Sequence, residues 1–286
     1  MRRAATIAIL VLIALPAAAP AAPRDARLRS VSSWAFAIGS GDLRGDSAAR
    51  YAPFDLVVVD AEEATPQQVA GLRASGKLVL GYLSVGTIER GRSWYRAARP
   101  YKLELWEDWG EWYADVRRAG YRRLIERRVA PALLRKGFDG LFLDNVDMVE
   151  GHPRQRRGMT QLVRRLSHDS RARGRLLFAQ NGDAYVPSLA RFLDGWNRED
   201  VTWTYDFDSR RYQRVGAEDT RAAQATLRSL AARGLLVTST DYTRAGDDGA
   251  EREAAANSCA AGALPFVADI GLSRVPPAPF TCPPAG

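Results

Sequence analysis

Short apolar runs alternate along this chain with longer segments whose apolar positions recur every three or four residues. The short runs read as strands and the longer segments as helices. Strands are expected at Trp34 to Ile38, Phe54 to Asp60, Lys77 to Val85, Gly140 to Asn145, Leu176 to Gln180, Gly195 to Asp200, Leu235 to Asp241 and Leu264 to Asp269. Helices are expected between them at Pro66 to Ser75, Tyr113 to Lys136, Gln155 to Arg173, Ala217 to Ala232 and Ala250 to Ala261. Thr65 before Pro66 is an N-cap signal, Gly76 and Gly137 are stop signals, and Pro131 is expected to kink or restart the helix it interrupts.

Leu141, Phe142 and Leu143 are apolar in succession, which marks a strand buried on both faces, the habit of parallel sheets. Eight strands with helical connections predict an α/β fold, a single-domain (β/α)8 TIM-type barrel. An open doubly wound sheet is the alternative. No G-x-G-x-x-G follows the first strand, so a dinucleotide site has little support.

A barrel gathers all its strand ends on one face, where the chemistry of such folds sits. Those ends carry acids and amides: Asp60, Glu89, Asp144 with Asp147, Gln180 with Asn181, Glu199, Asp241 and Asp269. Aromatic residues are interleaved, among them Trp34, Tyr82, Trp94, Tyr95, Trp196, Trp203 and Tyr242. Flat rings stack on sugar faces, carboxylates and amides bond hydroxyls, and two carboxyl groups can cleave a glycosidic bond. The plainer alternative is that Asp144 and Asp147 bond backbone in a turn and that Trp34 and Tyr82 pack the core. Asp55, at a strand start, reads as structural.

The 286 residues begin with Arg2 and Arg3, an apolar run from Thr6 to Leu15, and small residues from Ala17 to Ala22. That is the pattern of a secretory signal peptide over residues 1–22, with the barrel and a Pro-rich tail over 23–286. The expected location is extracellular or periplasmic, without stable membrane insertion after cleavage. Export makes a disulfide between Cys259 and Cys282 the expectation. These cysteines and the histidines His152 and His168 show no metal spacing, so no metal or other cofactor is expected. The formal charge of +8 falls to about +6 without Arg2 and Arg3, and nearly all the base is arginine spread over helical segments. That is the look of solvated helix faces, and no nucleic-acid-binding motif accompanies it. The expected partner is a polysaccharide, not a nucleic acid.

Several of these residues occur in an order that resembles glycoside hydrolase family 114, whose characterised members are endo-α-1,4-polygalactosaminidases. The marks are Phe54-Asp55 with Asp60, Gly81-Tyr82-Leu83-Ser84-Val85-Gly86 with Glu89, Gly137-Phe138-Asp139-Gly140 through Asp144 and Asp147, Asn181-Gly182, Glu199, Asp241-Tyr242, and Pro265-Phe266-Val267 with Asp269. The similarity runs from about Trp34 to Asp269. It implies a (β/α)8 barrel with catalytic carboxylates after the fourth and sixth strands, here Asp144 and Glu199. Thr87 stands where members often carry an acid, and Arg198 and Asp200 flank Glu199, leaving a one-residue alignment slip open.

The expectation is a secreted glycosidase acting on an α-1,4-linked galactosamine-type polymer. Asp144 is its nucleophile and Glu199 its acid/base in a retaining mechanism. Asp60, Tyr82, Glu89, Asp147, Asn181, Trp196, Asp241 and Tyr242 are the candidate substrate-binding residues. A non-catalytic glycan-binding or matrix protein on the same barrel is the alternative. An unrelated barrel enzyme would need a strand-end lysine or a histidine pair, and neither is present.

Overall fold

The computed structural model describes residues 21–39 and 47–283. The expected signal-peptide segment falls almost wholly on residues 1–20, outside the described residues. Eight strands form one parallel sheet in chain order: β1 (Trp34–Ala37), β2 (Leu56–Asp60), β3 (Leu78–Ser84), β4 (Gly140–Asp144), β5 (Leu176–Gln180), β6 (Gly195–Glu199), β7 (Leu236–Tyr242) and β8 (Leu264–Ala268). β1 and β8 lie against each other, and the Trp34 indole N–H donates to Leu264 O at 2.9 Å across that seam. The result is a nearly closed (β/α)8 barrel. It is the expected fold, and all eight strands begin and end within two residues of the expected limits.

Strand periodicity sorts the side chains. Residues of one parity point inward and those of the other pack against the helices. On one side the interior is aromatic: Phe36 lies 4.9 Å from Phe142, and Trp34 lies 5.8 Å from both Phe36 and Phe266, measured between ring centres. On the other side it is polar but internally paired. Asn197 donates to Gln180 at 2.8 Å and accepts from Thr238 at 3.1 Å and Thr240 at 3.2 Å. Pairing of this kind removes the penalty of burying amides and hydroxyls. Asp55 is structural, as expected: its carboxylate accepts the backbone N–H groups of Ser32 at 2.8 Å and Ser33 at 3.1 Å.

Helix Pro66–Ala74 starts with the expected Thr65 cap, completed as a reciprocal box with Gln68. The expected helix from Tyr113 is corrected. Glu111–Ala114 is instead a strand, antiparallel to Lys102–Trp106 and to Thr87–Ile88. Helix begins only at Ala119, widens into a π turn over Ile125–Val129, and resumes at Ala130–Leu134. Pro131 has no N–H to continue the regular ladder, which accounts for the irregularity at this point. A second unforeseen element is the hairpin of Trp203–Asp206 with Arg211–Arg214.

Cys259 and Cys282 form the expected disulfide, closing a loop with a sequence separation of 23. In the chain-entropy model a loop of that length contributes about 3 kcal/mol. It holds the Pro-rich tail against the last helix, Asp248–Cys259.

Candidate active site

Asp144 is the last residue of β4 and shares the inward parity of Phe142. Asn145 follows at φ 57°, a left-handed turn that asparagine tolerates better than most residues. The turn aims two Asn145 donors back at the acid, the backbone N–H at 2.7 Å and Nδ2 at 3.2 Å. Tyr82 donates its hydroxyl at 2.6 Å and Gln180 its amide at 3.0 Å. The loop after β3 passes so close that a Cβ on Gly86 would lie 1.9 Å from Asn145 O, so glycine is required there.

Glu199 ends β6 in the same way. Asn181, at φ 54° after β5, donates Nδ2 to its carboxylate at 2.7 Å and accepts its backbone N–H at 3.0 Å. The Tyr242 hydroxyl donates to the other carboxylate oxygen. Of Arg198, Glu199 and Asp200, only Glu199 lines the cavity. Glu199 lines the same cavity as Asp144, while Arg198 has the opposite parity and pairs with Asp183 at 2.7 Å.

The two acids differ electrostatically. Burial pushes the Asp144 carboxyl above the ordinary aspartate range, but the donors from Tyr82, Asn145 and Gln180 oppose it. Burial, followed by the charges of Asp144 and Asp200, pushes Glu199 up to about 8 against only Tyr242 and Asn181. Asp144 has more donors that favour its ionised form, and its charge is among the causes that raise Glu199.

The cavity has a volume of about 240 Å³. Asp60, Tyr82, Glu89, Asp147, Asn181 and Tyr242 line it around the pair. Asp147 is pushed up to about 7, first by burial and then by the charge of Asp144. Asp60 and Glu89 are not free acids. Both pair with Arg92, at 2.6 Å and 2.7 Å. Burial opposes the Arg92 charge, but Glu89 and Asp60 outweigh it and raise the guanidinium above its ordinary pKa.

Two expected contacts are corrected. Trp196 is 0 % exposed and of outward parity; its indole donates to Asn181 O at 2.8 Å, so it braces the residue that holds Glu199 instead of meeting a sugar. Asp241 is 1 % exposed and accepts the backbone N–H groups of Thr202 at 2.6 Å and Trp203 at 2.8 Å. It anchors the turn into the hairpin, and burial pushes its carboxyl up to about 7.

Sequence reading missed Arg92 and Glu111. Arg92 follows Glu89 by three residues, a spacing that allows a local ion pair. Glu111 enters the cavity from the strand that had been expected to lead into helix. It accepts from Thr87 Oγ1 at 2.6 Å, and Thr87 in turn meets Ser84 Oγ at 2.6 Å. The acid missing at position 87 is thus represented nearby by one from another strand. Burial, then the charge of Glu89, pushes Glu111 up to about 7. Among the described residues no group of three or more His, Cys, Asp or Glu side chains is arranged to hold a metal ion.

Two carboxyl groups with unlike hydrogen-bond surroundings at the strand ends of a (β/α)8 barrel define a site of the glycosidase class. The chain belongs to glycoside-hydrolase family GH114, whose family model matches residues 15–278, and it is a glycoside hydrolase. It is similar to the glycoside hydrolase domain of PelA from Pseudomonas aeruginosa, with 26 % identity and a TM-score of 0.74 over 86 % of this chain and 97 % of that one. Ega3 of Aspergillus fumigatus, solved in complex with galactosamine, shares the fold with 19 % identity and a TM-score of 0.63, over 84 % of this chain and 92 % of that one. An uncharacterized protein of Deinococcus radiodurans is 26 % identical over 280 residues, 91 % of this chain and 88 % of the relative.

Proposed function

We propose that this chain hydrolyses an α-1,4-linked galactosamine-type polysaccharide after export, with Asp144 as nucleophile and Glu199 as general acid and then base. The observation that carries the reading is the unlike surroundings of two carboxyl groups in one cavity: one held by donors from Tyr82, Asn145 and Gln180, and a second pushed up to about 8. In the first step the Asp144 carboxylate attacks the anomeric carbon while Glu199 protonates the departing oxygen. In the second, Glu199 takes a proton from water, which displaces Asp144. Tyr82 and Asn145 keep the nucleophile oriented, and Asn181 and Tyr242 fix the acid.

The charge of the cavity supports an amino sugar. Asp60, Glu89, Glu111, Asp144, Asp147 and Glu199 line it, and among the described residues Arg92 is the only basic side chain that does. A polymer bearing free ammonium groups fits such a lining. The net positive charge of the chain is screened beyond about 8 Å at physiological salt, so the local acids dominate at contact. The galactosamine bound by Ega3 is consistent with this choice. The signal-like amino terminus and the Cys259–Cys282 disulfide support export.

The test is a glycan panel containing galactosamine polymers in N-acetylated and de-acetylated forms, assayed with wild type, Asp144→Asn and Glu199→Gln. Cleavage of the de-acetylated polymer by wild type alone, with retention of anomeric configuration, is expected. Full activity of Asp144→Asn on the glycan that wild type cuts would remove the assignment, and an inverted product would replace the nucleophile role with that of a base.

A further inference from the structure

The two elements absent from the sequence reading meet over the cavity. One is the antiparallel excursion after β3, containing Lys102–Trp106 and Glu111–Ala114; the other is the Trp203–Arg214 hairpin after β6. Trp109, at the tip of the first, lies 5.3 Å from Phe207 of the second in an edge-on contact. Trp106 and Trp109 both line the cavity that holds Asp144 and Glu199.

Their environments argue against packing as their only role. Trp109 remains 45 % exposed although apolar neighbours are within reach. Trp106 is fixed from behind: it stacks on Tyr113 at 5.5 Å, and Tyr113 lies 4.4 Å from the His152 ring, which is itself tied to Met148 O at 3.0 Å. A flat ring that is rigidly backed and open on the cavity side loses little entropy on binding. It attracts the C–H face of a pyranose, and an ammonium group on that sugar adds a cation–π contribution.

We infer that Trp106 and Trp109 form a stacking subsite for a sugar ring of the same chain beyond the bond being cut, with Phe207 fixing the position of Trp109. The inference rests on the glycosidase reading of the cavity and adds how the polymer is held. It makes chain length a determinant of specificity, because only a substrate long enough to reach the tryptophans gains from them.

The experiment compares kcat/KM of wild type, Trp109→Ala, Trp109→Phe and Trp109→Leu on the polymer and on the shortest oligosaccharide that is cut, with thermal unfolding measured for each. Trp109→Ala is expected to lose about tenfold more on the polymer than on the short substrate, chiefly through KM, the equivalent of about 1.4 kcal/mol. Trp109→Phe is expected to recover most of that difference and Trp109→Leu little of it. Equal losses on both substrates, or full recovery by leucine, would overturn the subsite and leave a packing role. If wild type cuts a glycan other than galactosamine polymer, the substrate reading fails, and the same ratio measured on that glycan still decides the subsite. If no glycan in the panel is cut, binding of the galactosamine polymer to Asp144→Asn decides it. About tenfold weaker binding on adding Trp109→Ala supports the subsite, and unchanged or undetectable binding overturns it.

Discussion

The Asp144 and Glu199 sides of the cavity are equally removed from water but differently furnished. Asp144 receives donors from Tyr82, from both nitrogens of Asn145 and from Gln180. Glu199 receives only Tyr242 and the Asn181 amide, and it faces the charges of Asp144 and Asp200. The difference shows that burial alone does not set the two acids apart. Donor count and neighbouring charge do, and the two turns that deliver the donors are left-handed at Asn145 and Asn181. One fold can in this way hold a base-like and an acid-like carboxyl side by side.

The severest way to break the comparison is Asp144→Asn. It removes the proposed nucleophile and is expected to lower kcat by about four orders of magnitude or more while the protein stays folded, checked by polymer hydrolysis and circular dichroism. Glu199→Gln is expected to cost about two to four orders of magnitude, least for substrates with a good leaving group. In wild type, activity is expected to fall as pH rises through about 8, where Glu199 loses its proton. A carboxyl with a raised folded pKa binds its proton more tightly folded than unfolded, so its deprotonation destabilises the fold as pH rises from its unfolded pKa to about 8. Glu199→Gln is therefore expected to gain stability relative to wild type at pH 8 but not at pH 4, measured by thermal melts at both.

Smaller effects sharpen the contrast from outside the pair. Arg92→Leu leaves Asp60 and Glu89 without their cation and is expected to cost about 3 kcal/mol of stability, measured by denaturant unfolding. Replacing both Cys259 and Cys282 by serine is expected to cost about 3 kcal/mol with unchanged kcat, since the bridge fastens the tail and not the cavity. Trp196→Phe removes the N–H that braces Asn181 together with part of a fully buried ring. A cost of about 2 kcal/mol is expected, with kcat reduced more than KM is changed, because the disturbed group is the one that holds Glu199.

The barrel was legible because its strands are short, apolar and separated by helical periodicity, and Asp144 was legible because it ends one of them. Trp196 and Asp241 were placed in the cavity because they are also strand-end residues. Parity was the discriminating signal: Trp196 is out of phase with Glu199, and Asp241 is out of phase with Tyr242. Arg92 and Glu111 had no comparable signal. They reach the cavity through an antiparallel excursion whose pairing depends on contacts between distant segments, and its aromatic residues suited strand and helix alike.

The proposed mechanism requires that Glu199 holds its proton at neutral pH while Asp144 does not. Carbon-13 NMR of labelled carboxyl groups, titrated in wild type and in Glu199→Gln, tests this without any substrate. The account predicts a carboxyl that titrates near pH 8 in wild type and is missing from Glu199→Gln, with Asp144 already ionised at pH 7. A Glu199 signal that titrates in the ordinary glutamate range, or an Asp144 that remains protonated at pH 7, would contradict it.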